Sequence, residues 1–100
     1  MTYSNNIRQE DMFDVYYLGI PLMPSTSAMR ELMRYGLGVE NCKEILEEGY
    51  FPRKRAKDTI EAWFDIGKKT YNVVVVKTYN FMLKRDIYLI THVGRFTKRK

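Results

Sequence analysis

Residues 59 to 93 have the sequence TIEAWFDIGKKTYNVVVVKTYNFMLKRDIYLITHV, and the expected architecture follows from this stretch. Thr59 to Ile66 alternates apolar and polar residues, which is typical of a strand with one buried face. A turn at residues 67 to 69 separates it from residues 70 to 79, whose run of valines indicates a central strand covered on both faces. After a second turn, residues 86 to 93 alternate again. The sequence therefore predicts an antiparallel meander.

Alternation within these strands assigns side chains to faces, because successive residues of a strand point to opposite sides. In the first strand, Glu61, Trp63 and Asp65 share one face, and the apolar residues between them share the other. In the last strand, strict alternation places His92 on the same face as Ile90.

Two helices are predicted before the meander. Ser25, Thr26 and Ser27 are candidate N-caps, because a hydroxyl can accept from the free N–H groups of a first helical turn. The first helix has an apolar stripe of four residues: Ala28, Met29, Leu32 and Met33. Gly36 and Gly38 are expected to end this helix.

The second helix begins soon after the first. Its apolar stripe has four residues: Val39, Cys42, Ile45 and Leu46. Acidic residues occupy the opposite side, and Gly49 stands where a C-cap glycine belongs. Cys42 is therefore expected to be buried. The methionines, Met29 and Met33 in particular, are interpreted as core filling and not as metal ligands.

This order of elements predicts an α+β fold, with two N-terminal helices packed on an antiparallel sheet of three to four strands. The length predicts a single domain, residues 1–100, with flexible segments at 1–11 and 97–100.

Residues 12 to 18 are rich in aromatic side chains and fit either a short strand or the first turns of a helix. Gly19, Pro21 and Pro24 are expected to break any regular element that follows.

Composition narrows the function classes. The chain is 45% hydrophobic and 29% charged, which is typical of a globular domain. A single cysteine rules out an intrachain disulfide and fits a reducing cytoplasm. The N-terminus lacks an apolar signal region, and no apolar run approaches the roughly 20 residues of a membrane helix. The sequence carries no metal motif, nucleotide loop or nucleophile signature. We therefore expect a soluble cytoplasmic protein without a cofactor.

The net charge of +5 is concentrated in two short runs. Residues 53 to 57 and residues 95 to 100 each carry four cations and no acid. The remaining nine cations are outnumbered by the 12 acidic residues, so the two runs account for the whole excess. Cations concentrated in this way indicate one basic face that meets a polyanion, and the expected polyanion is nucleic acid.

The residues predicted to contact nucleic acid, RNA in preference to DNA, are Arg53, Lys54, Arg55, Lys57, Trp63, Arg95, Lys98 and Arg99. Arginine suits bidentate contact with phosphate oxygens, whereas lysine acts as a point charge. Tyr50, Phe51 and Trp63 are candidates for stacking on bases. Three further tyrosines fall on predicted strands, where they serve either as an RNA platform or as ordinary packing residues: Tyr71, Tyr79 and Tyr88.

His92 is the single histidine and the candidate acid or base, since imidazole alone has an ordinary pKa near neutrality. Cleavage of RNA by its own 2′-hydroxyl needs a base, an acid and a cation for the charge on phosphorus. Arg95 or Arg53 is the candidate phosphate clamp, and Glu61 or Asp65 is the candidate partner of His92. The alternative is that His92 is an ordinary strand residue.

The segments SAMRELMRYG (residues 27–36) and VENCKEILEEG (residues 39–49), followed by the meander, resemble a small family of prokaryotic domains similar to the BrnT and RelE-like ribonuclease toxins. The resemblance covers residues 25 to 93. It implies a compact α+β fold related to small metal-independent ribonucleases, which are often paired with a protein antitoxin. Family members commonly carry a histidine at the start of the first helix, where this chain has Ser27.

Three hypotheses follow from the sequence. The first is an RNA-associated protein that resembles the RelE-like toxins and cleaves RNA without a metal. The second is a non-catalytic nucleic-acid-binding module that uses the same basic face. The third is a protein-interaction module whose basic face meets an acidic partner. Oligomeric state is left open.

Overall fold

The computed structural model describes residues 15 to 98. Within them the chain forms five strands and two helices, which are β1 (Tyr16–Tyr17), β2 (Ile20–Pro24), α1 (Thr26–Tyr35), α2 (Val39–Glu48), β3 (Thr59–Ile66), β4 (Lys69–Asn80) and β5 (Arg85–Thr97). The described strands form one sheet in the order β1-β2-β5-β4-β3. β2 runs parallel to β5, and the other neighbouring strands are antiparallel.

The protein combines helices and a sheet, but the predicted arrangement is wrong. β1 and β2 precede the helices, so the chain does not begin with two helices packed on a later meander. β2 also lies parallel to β5, which makes the sheet mixed and not antiparallel. The predicted meander is present as β3, β4 and β5, and it forms one side of this larger sheet.

The sequence analysis missed β2 because Pro21 and Pro24 were expected to break any regular element. Neither proline interrupts this strand. The residue after each proline donates its backbone N–H to a neighbouring segment of the chain. The N–H of Leu22 donates to the Val15 carbonyl at 2.9 Å, and that of Ser25 donates to the Ile90 carbonyl at 2.9 Å. Proline is tolerated in a strand where the ladder does not need its missing N–H.

A two-residue turn, Leu18 and Gly19, joins β1 to β2. Both residues have positive φ, 54° and 77°, which is the backbone geometry that suits a two-residue hairpin. Gly19 therefore makes a hairpin here and does not merely end an element. Residues 1–14 and 99–100 lie outside the described residues, so the prediction for the segment 1–11 is not addressed.

α1 begins as predicted, because the Ser25 hydroxyl accepts from the N–H of Ala28 at 3.1 Å. Ala28 and Leu32 are buried, but Met29 is 48% exposed and Met33 is 76% exposed. The prediction that these methionines fill the core is therefore wrong.

The buried stripe of α1 is therefore narrower than the sequence suggests. Glu31 and Tyr35, which lie beside this stripe, contact β5. In α2, the predicted residues Cys42, Ile45 and Leu46 are buried. Burial raises the pKa of the Cys42 thiol to about 12, so this thiol is protonated and is not a nucleophile at neutral pH.

The core lies between the helices and one face of the sheet. Its largest fully buried side chains include Leu22, Leu46, Val73, Val75, Ile90 and Val93. Ile60 and Phe64 of β3 pack against this cluster, as the alternation in β3 predicted. In the described residues, neither ten-residue helix has the length and apolar character needed to cross a bilayer.

β5 is longer than predicted and contains an irregularity. Val74 of β4 is paired with His92, whereas the next residue, Val75, is paired with Ile90, so Thr91 is an extra residue on β5. This β-bulge changes the face of every following residue in β5. β5 extends to Thr97, and the Lys98 N–H donates to the Lys68 carbonyl at 2.7 Å. The predicted flexibility of residues 97 to 100 stays a prediction.

Candidate nucleic-acid interface on the distal face of the sheet

The candidate site lies on the sheet face directed away from the core and helices, which we call the distal face. Three rows of paired residues cross β3, β4 and β5 there: Glu61–Val74–His92, Trp63–Asn72–Gly94 and Asp65–Thr70–Phe96. The alternating residues of the same strands, among them Ala62 and Val73, belong to the core. The distal face therefore combines aromatic, charged and hydrogen-bonding side chains.

An aromatic cluster occupies the middle of the distal face. The rings of Trp63 and Phe96 meet edge to face with centroids 5.1 Å apart, and Tyr50 meets Trp63 in the same way at 6.2 Å. Tyr50 and Phe96 are 46% and 42% exposed. Exposed aromatic rings in such a cluster offer surfaces on which nucleic-acid bases can stack.

The backbone fixes Tyr50 beside Trp63. Their N–H and carbonyl groups exchange two hydrogen bonds of 2.8 Å, so the segment after α2 extends the sheet by one residue pair. Gly49 makes this approach possible, because a Cβ at that position would collide with the carbonyl oxygens of Trp63 and Ile45.

The first basic run is held on the distal face by Glu61, whose side chain is 4% exposed. Arg53 Nε and Arg55 Nη1 lie 3.3 and 3.1 Å from Glu61 Oε1, and Trp63 Nε1 donates to Oε2 at 2.7 Å. Burial would raise the pKa of Glu61, but the hydrogen bonds from Trp63 and Arg55 and the charges of both arginines outweigh it and lower that pKa. Glu61 is therefore an ionised anchor and not a general acid.

One cation of the second basic run, Lys98, is held on the same face by Asp65. Lys98 Nζ lies 3.4 Å from Asp65 Oδ2, while Thr70 and Tyr50 donate to Oδ1 at 2.7 and 3.4 Å. The hydrogen bond from Thr70 is the largest cause of a lowered pKa at Asp65, and Lys98 and Tyr50 add to it against the opposing effect of desolvation. These groups line a recess of about 760 Å³ together with Trp63 and Phe96.

The structure thus brings Arg53 and Arg55 of the first run and Lys98 of the second run to one face. Their carboxylate anchors, Glu61 and Asp65, are four residues apart on β3, which is about 13 Å at the usual rise of a strand. Trp63 lies between them. The other predicted cations of the first run, Lys54 and Lys57, are exposed, and Arg99 lies outside the described residues.

Arg95 does not belong to this face. It is paired with Tyr71, which packs against the core, and its guanidinium carbon lies 4.9 Å from the centroid of the Tyr35 ring in α1. The structure therefore does not bring Arg95 and His92 together. Both residues follow the bulge, and they are three positions apart. Residues separated by an odd number of positions in a strand have their side chains on opposite faces.

His92 lies on the distal face because of the bulge, although strict alternation had grouped it with Ile90 on the core side. Its Nδ1 lies 3.2 Å from Glu31 Oε2, and Glu31 Oε1 accepts the backbone N–H of Val93 at 2.8 Å. The other ring nitrogen of His92, Nε2, lies close to Gly94. A Cβ atom added at Gly94 would be 2.9 Å from this nitrogen. His92 is 49% exposed and oriented by a carboxylate.

Glu61 does not pair with His92 as predicted. Both occupy the same row, but Val74 lies between them, which separates their Cα atoms by two strand spacings, about 10 Å. Glu61 contacts Arg53, Arg55 and Trp63 instead, and the carboxylate that contacts His92 is Glu31.

Sequence reasoning missed Glu31 and Phe96 as members of the site. Glu31 lies outside the apolar stripe predicted for α1, and no local pattern links it to His92, 61 residues later. Phe96 could have been found, since it lies inside the second basic run and aromatic residues among cations are typical of nucleic-acid contacts.

Two of the three strand tyrosines pack against other residues of the protein and do not form an exposed platform. Tyr88 is 7% exposed and meets the Tyr17 ring at 5.6 Å, and Tyr71 packs against the core. Tyr79 is 48% exposed, but it contacts Phe81 at the end of the β4–β5 hairpin, away from the aromatic cluster. The candidate platform for RNA bases is therefore the cluster of Tyr50, Trp63 and Phe96. Within residues 15–98, no group of three His, Cys, Asp or Glu side chains is placed to hold a metal ion.

Comparison of the chain with protein-family models, with curated proteins and with solved structures found no match. The similarity to BrnT and RelE-like toxins therefore stays a prediction from the sequence, as does an acidic protein partner.

Proposed function

We propose that the protein binds single-stranded RNA on the distal face of its sheet. The observation that supports this most strongly is the aromatic cluster of half-buried Trp63 with exposed Tyr50 and Phe96, which lies between two groups of cations. Bases of a single strand stack on such rings, and each stacked base contributes about 1–3 kcal/mol. Duplexes keep their bases stacked on one another, so they gain little from this surface.

The cations lie where the backbone of a bound strand would pass. Arg53 and Arg55 flank Trp63 on the Glu61 side, and Lys98 flanks it on the Asp65 side. Lys54 and Lys57 add two exposed charges, so these five cations exceed the two carboxylate anchors by three. The carboxylates hold the cations in place without cancelling the field that attracts phosphate.

The test is binding of a fluorescein-labelled single-stranded RNA 12-mer, measured by anisotropy. We expect Trp63→Ala to weaken binding at least about fivefold, since it removes a stacking surface. Tyr79→Ala is the matched control, because it removes an exposed aromatic ring away from the cluster. Equal affinities for both variants, or no binding by the native protein, would exclude this function for the distal face.

Cleavage of the bound RNA is a second candidate function, favoured by the contact between Glu31 and His92. A carboxylate that holds Nδ1 of a histidine leaves Nε2 oriented to accept a proton. In the proposed step, Nε2 takes the proton of a 2′-hydroxyl and the 2′-oxygen bonds to phosphorus. The bond from phosphorus to the 5′-oxygen breaks, and that oxygen takes a proton from water. The products are a 2′,3′-cyclic phosphate and a 5′-hydroxyl.

His92→Gln separates cleavage from binding. With EDTA present, we expect the native protein to cut single-stranded RNA, and the variant to lose at least about 100-fold in rate while it still binds. The control is Trp63→Ala, which should weaken binding as well. If the native protein leaves the RNA intact, or if His92→Gln cuts at the native rate, His92 is not a catalytic residue.

A further inference from the structure

The recess beside Trp63 is lined by aromatic and hydrogen-bonding side chains, which are the groups that a pocket for one base requires. Trp63 and Phe96 provide aromatic walls, and Asp65 and Lys98 present polar atoms at its edge. Its volume of about 760 Å³ falls within the range of small-molecule pockets in proteins. The question is which base these polar atoms would accept.

The polar atoms of the recess form an ordered set. Lys98 Nζ is a donor, and it lies 3.4 Å from Asp65 Oδ2. The two carboxylate oxygens of Asp65 are acceptors, because the contacts with Thr70, Lys98 and Tyr50 keep the carboxyl ionised. Lys98 and Asp65 therefore offer one donor followed by two adjacent acceptors, beside the hydroxyl groups of Tyr50, Thr70 and Thr97.

Guanine has the complementary edge. Its Watson–Crick edge presents the O6 acceptor, then the N1–H donor, then the N2 amino donor. Adenine and cytosine each place a ring-nitrogen acceptor beside their amino group, and uracil has one donor between two acceptors. Against an ionised carboxylate, each of these bases would set an acceptor opposite an oxygen, which leaves lone pairs facing one another.

We infer that this recess binds a guanine base of a single-stranded RNA, with Asp65 accepting from N1–H and the N2 amino group and Lys98 donating to O6. The inference rests on the proposed function, because it assigns a specificity to the same face.

The contacts that Asp65 now makes are compatible with such an exchange. The hydrogen bond from Thr70 is short, 2.7 Å, and orients the carboxylate from within the sheet. The contacts with Tyr50 and Lys98 are both 3.4 Å and come from exposed side chains. A base edge can replace these two long contacts while the short one persists.

The experiment compares uridine nonamers that differ only at the central position, which is uridine, adenosine, cytidine, guanosine or inosine. We expect guanosine to bind about tenfold or more tightly than the other natural bases, as expected for one good bidentate contact. Inosine, which has O6 and N1–H but lacks the N2 amino group, should fall between guanosine and adenosine. This comparison uses the native protein and so does not depend on the folding of a variant.

Asp65→Asn then tests the residue itself. The amide offers one acceptor and one donor, so the ratio of the affinities for the guanosine and adenosine nonamers should fall to about one. If Asp65 has only a structural role, the variant melts at a lower temperature but keeps the preference for guanosine, and the inference is wrong.

Two further outcomes are distinguishable. If the native protein binds all five nonamers equally, RNA binding stands and the guanine pocket is excluded. If it binds none of them, the proposed function and the pocket fail together.

Discussion

Gly49 and Gly94 are two glycines at which an added methyl group would meet close neighbours, but the neighbours differ in kind. At Gly49 they are the backbone carbonyls of Trp63 and Ile45, which belong to β3 and α2. At Gly94 they are the ends of the Asn72 and His92 side chains, which can rotate away.

We therefore expect Gly49→Ala to lower the free energy of unfolding by about 1–3 kcal/mol, which is the usual cost of overpacking. Gly94→Ala, the matched control, should cost less than about 1 kcal/mol. Urea unfolding measures both values. A Gly49→Ala protein as stable as the native one would mean that Tyr50 is not fixed to β3 as described.

Glu61 makes a pH-dependent contribution to stability. Its folded-state pKa lies below the ordinary value of 4.5, so its charged form favours the folded protein above that pH. This contribution is lost as the pH falls through the lowered pKa, because protonation then costs the contacts with Arg55 and Trp63.

We expect Glu61→Gln to reduce the free energy of unfolding at pH 7 by about 1.5–3 kcal/mol, the usual value for hydrogen bonds to a charged group. The difference from the native protein should shrink as the pH falls below 4.5. Asp86→Asn, at an exposed position in β5, is the control and should change little. Urea unfolding across this pH range is the measurement, and a difference that stays constant would contradict the role of Glu61.

At the level of elements, a side chain of α1 forms a hydrogen bond with the part of β5 that β2 leaves unpaired. Beyond Ile90, β5 continues past its pairing with β2, and the Val93 N–H there donates to the Glu31 side chain. The backbone of a strand is prone to pair with other chains where its hydrogen-bonding groups are free. One helical carboxylate thus satisfies a backbone donor and orients His92.

Glu31→Ala removes the acceptor of the Val93 N–H. We expect the free energy of unfolding to fall by about 1–3 kcal/mol, because that donor belongs to a fully buried residue. We also expect faster amide hydrogen exchange at Val93. Glu48→Ala, at an exposed position in α2, is the control and should leave both quantities near their native values. Unchanged exchange at Val93 would show that Glu31 does not protect this edge.

The elements show what the sequence could reveal. β3 was predicted with its observed bounds, and the N-cap Ser25 and the buried stripe of α2 were also correct, because each depends on local spacing. The bulge at Thr91 and the strand through Pro21 and Pro24 were missed, because both depend on how one strand pairs with another. Strand pairing is non-local and leaves no periodic signal in the chain.

At the scale of the whole molecule, the sequence predicted that the two basic runs share one face. Alternation had put Glu61, Trp63 and Asp65 on one side of β3, and the fold pairs Arg53 and Arg55 with Glu61 and Lys98 with Asp65, whereas Arg95 lies on the other face. The sequence could not show this attachment, because Arg53 and Lys98 reach β3 from opposite ends of the meander.

This arrangement predicts a measurable salt dependence of RNA binding. If about three phosphates are neutralised, the affinity for a single strand should fall about 20-fold between 50 and 200 mM salt. A Lys98→Met variant should show a shallower dependence, because it removes one of these charges. A slope unchanged by this substitution would place Lys98 outside the interface.

Trp63 is the single tryptophan of the chain and lies at the centre of the distal face, so its fluorescence reports directly on this surface. We predict that unlabelled single-stranded RNA changes the emission of Trp63 in a saturable way, and that added salt reverses the change. RNA that binds with the same affinity in a parallel anisotropy titration but leaves the emission of Trp63 unaltered would contradict the central claim, as would the absence of any binding.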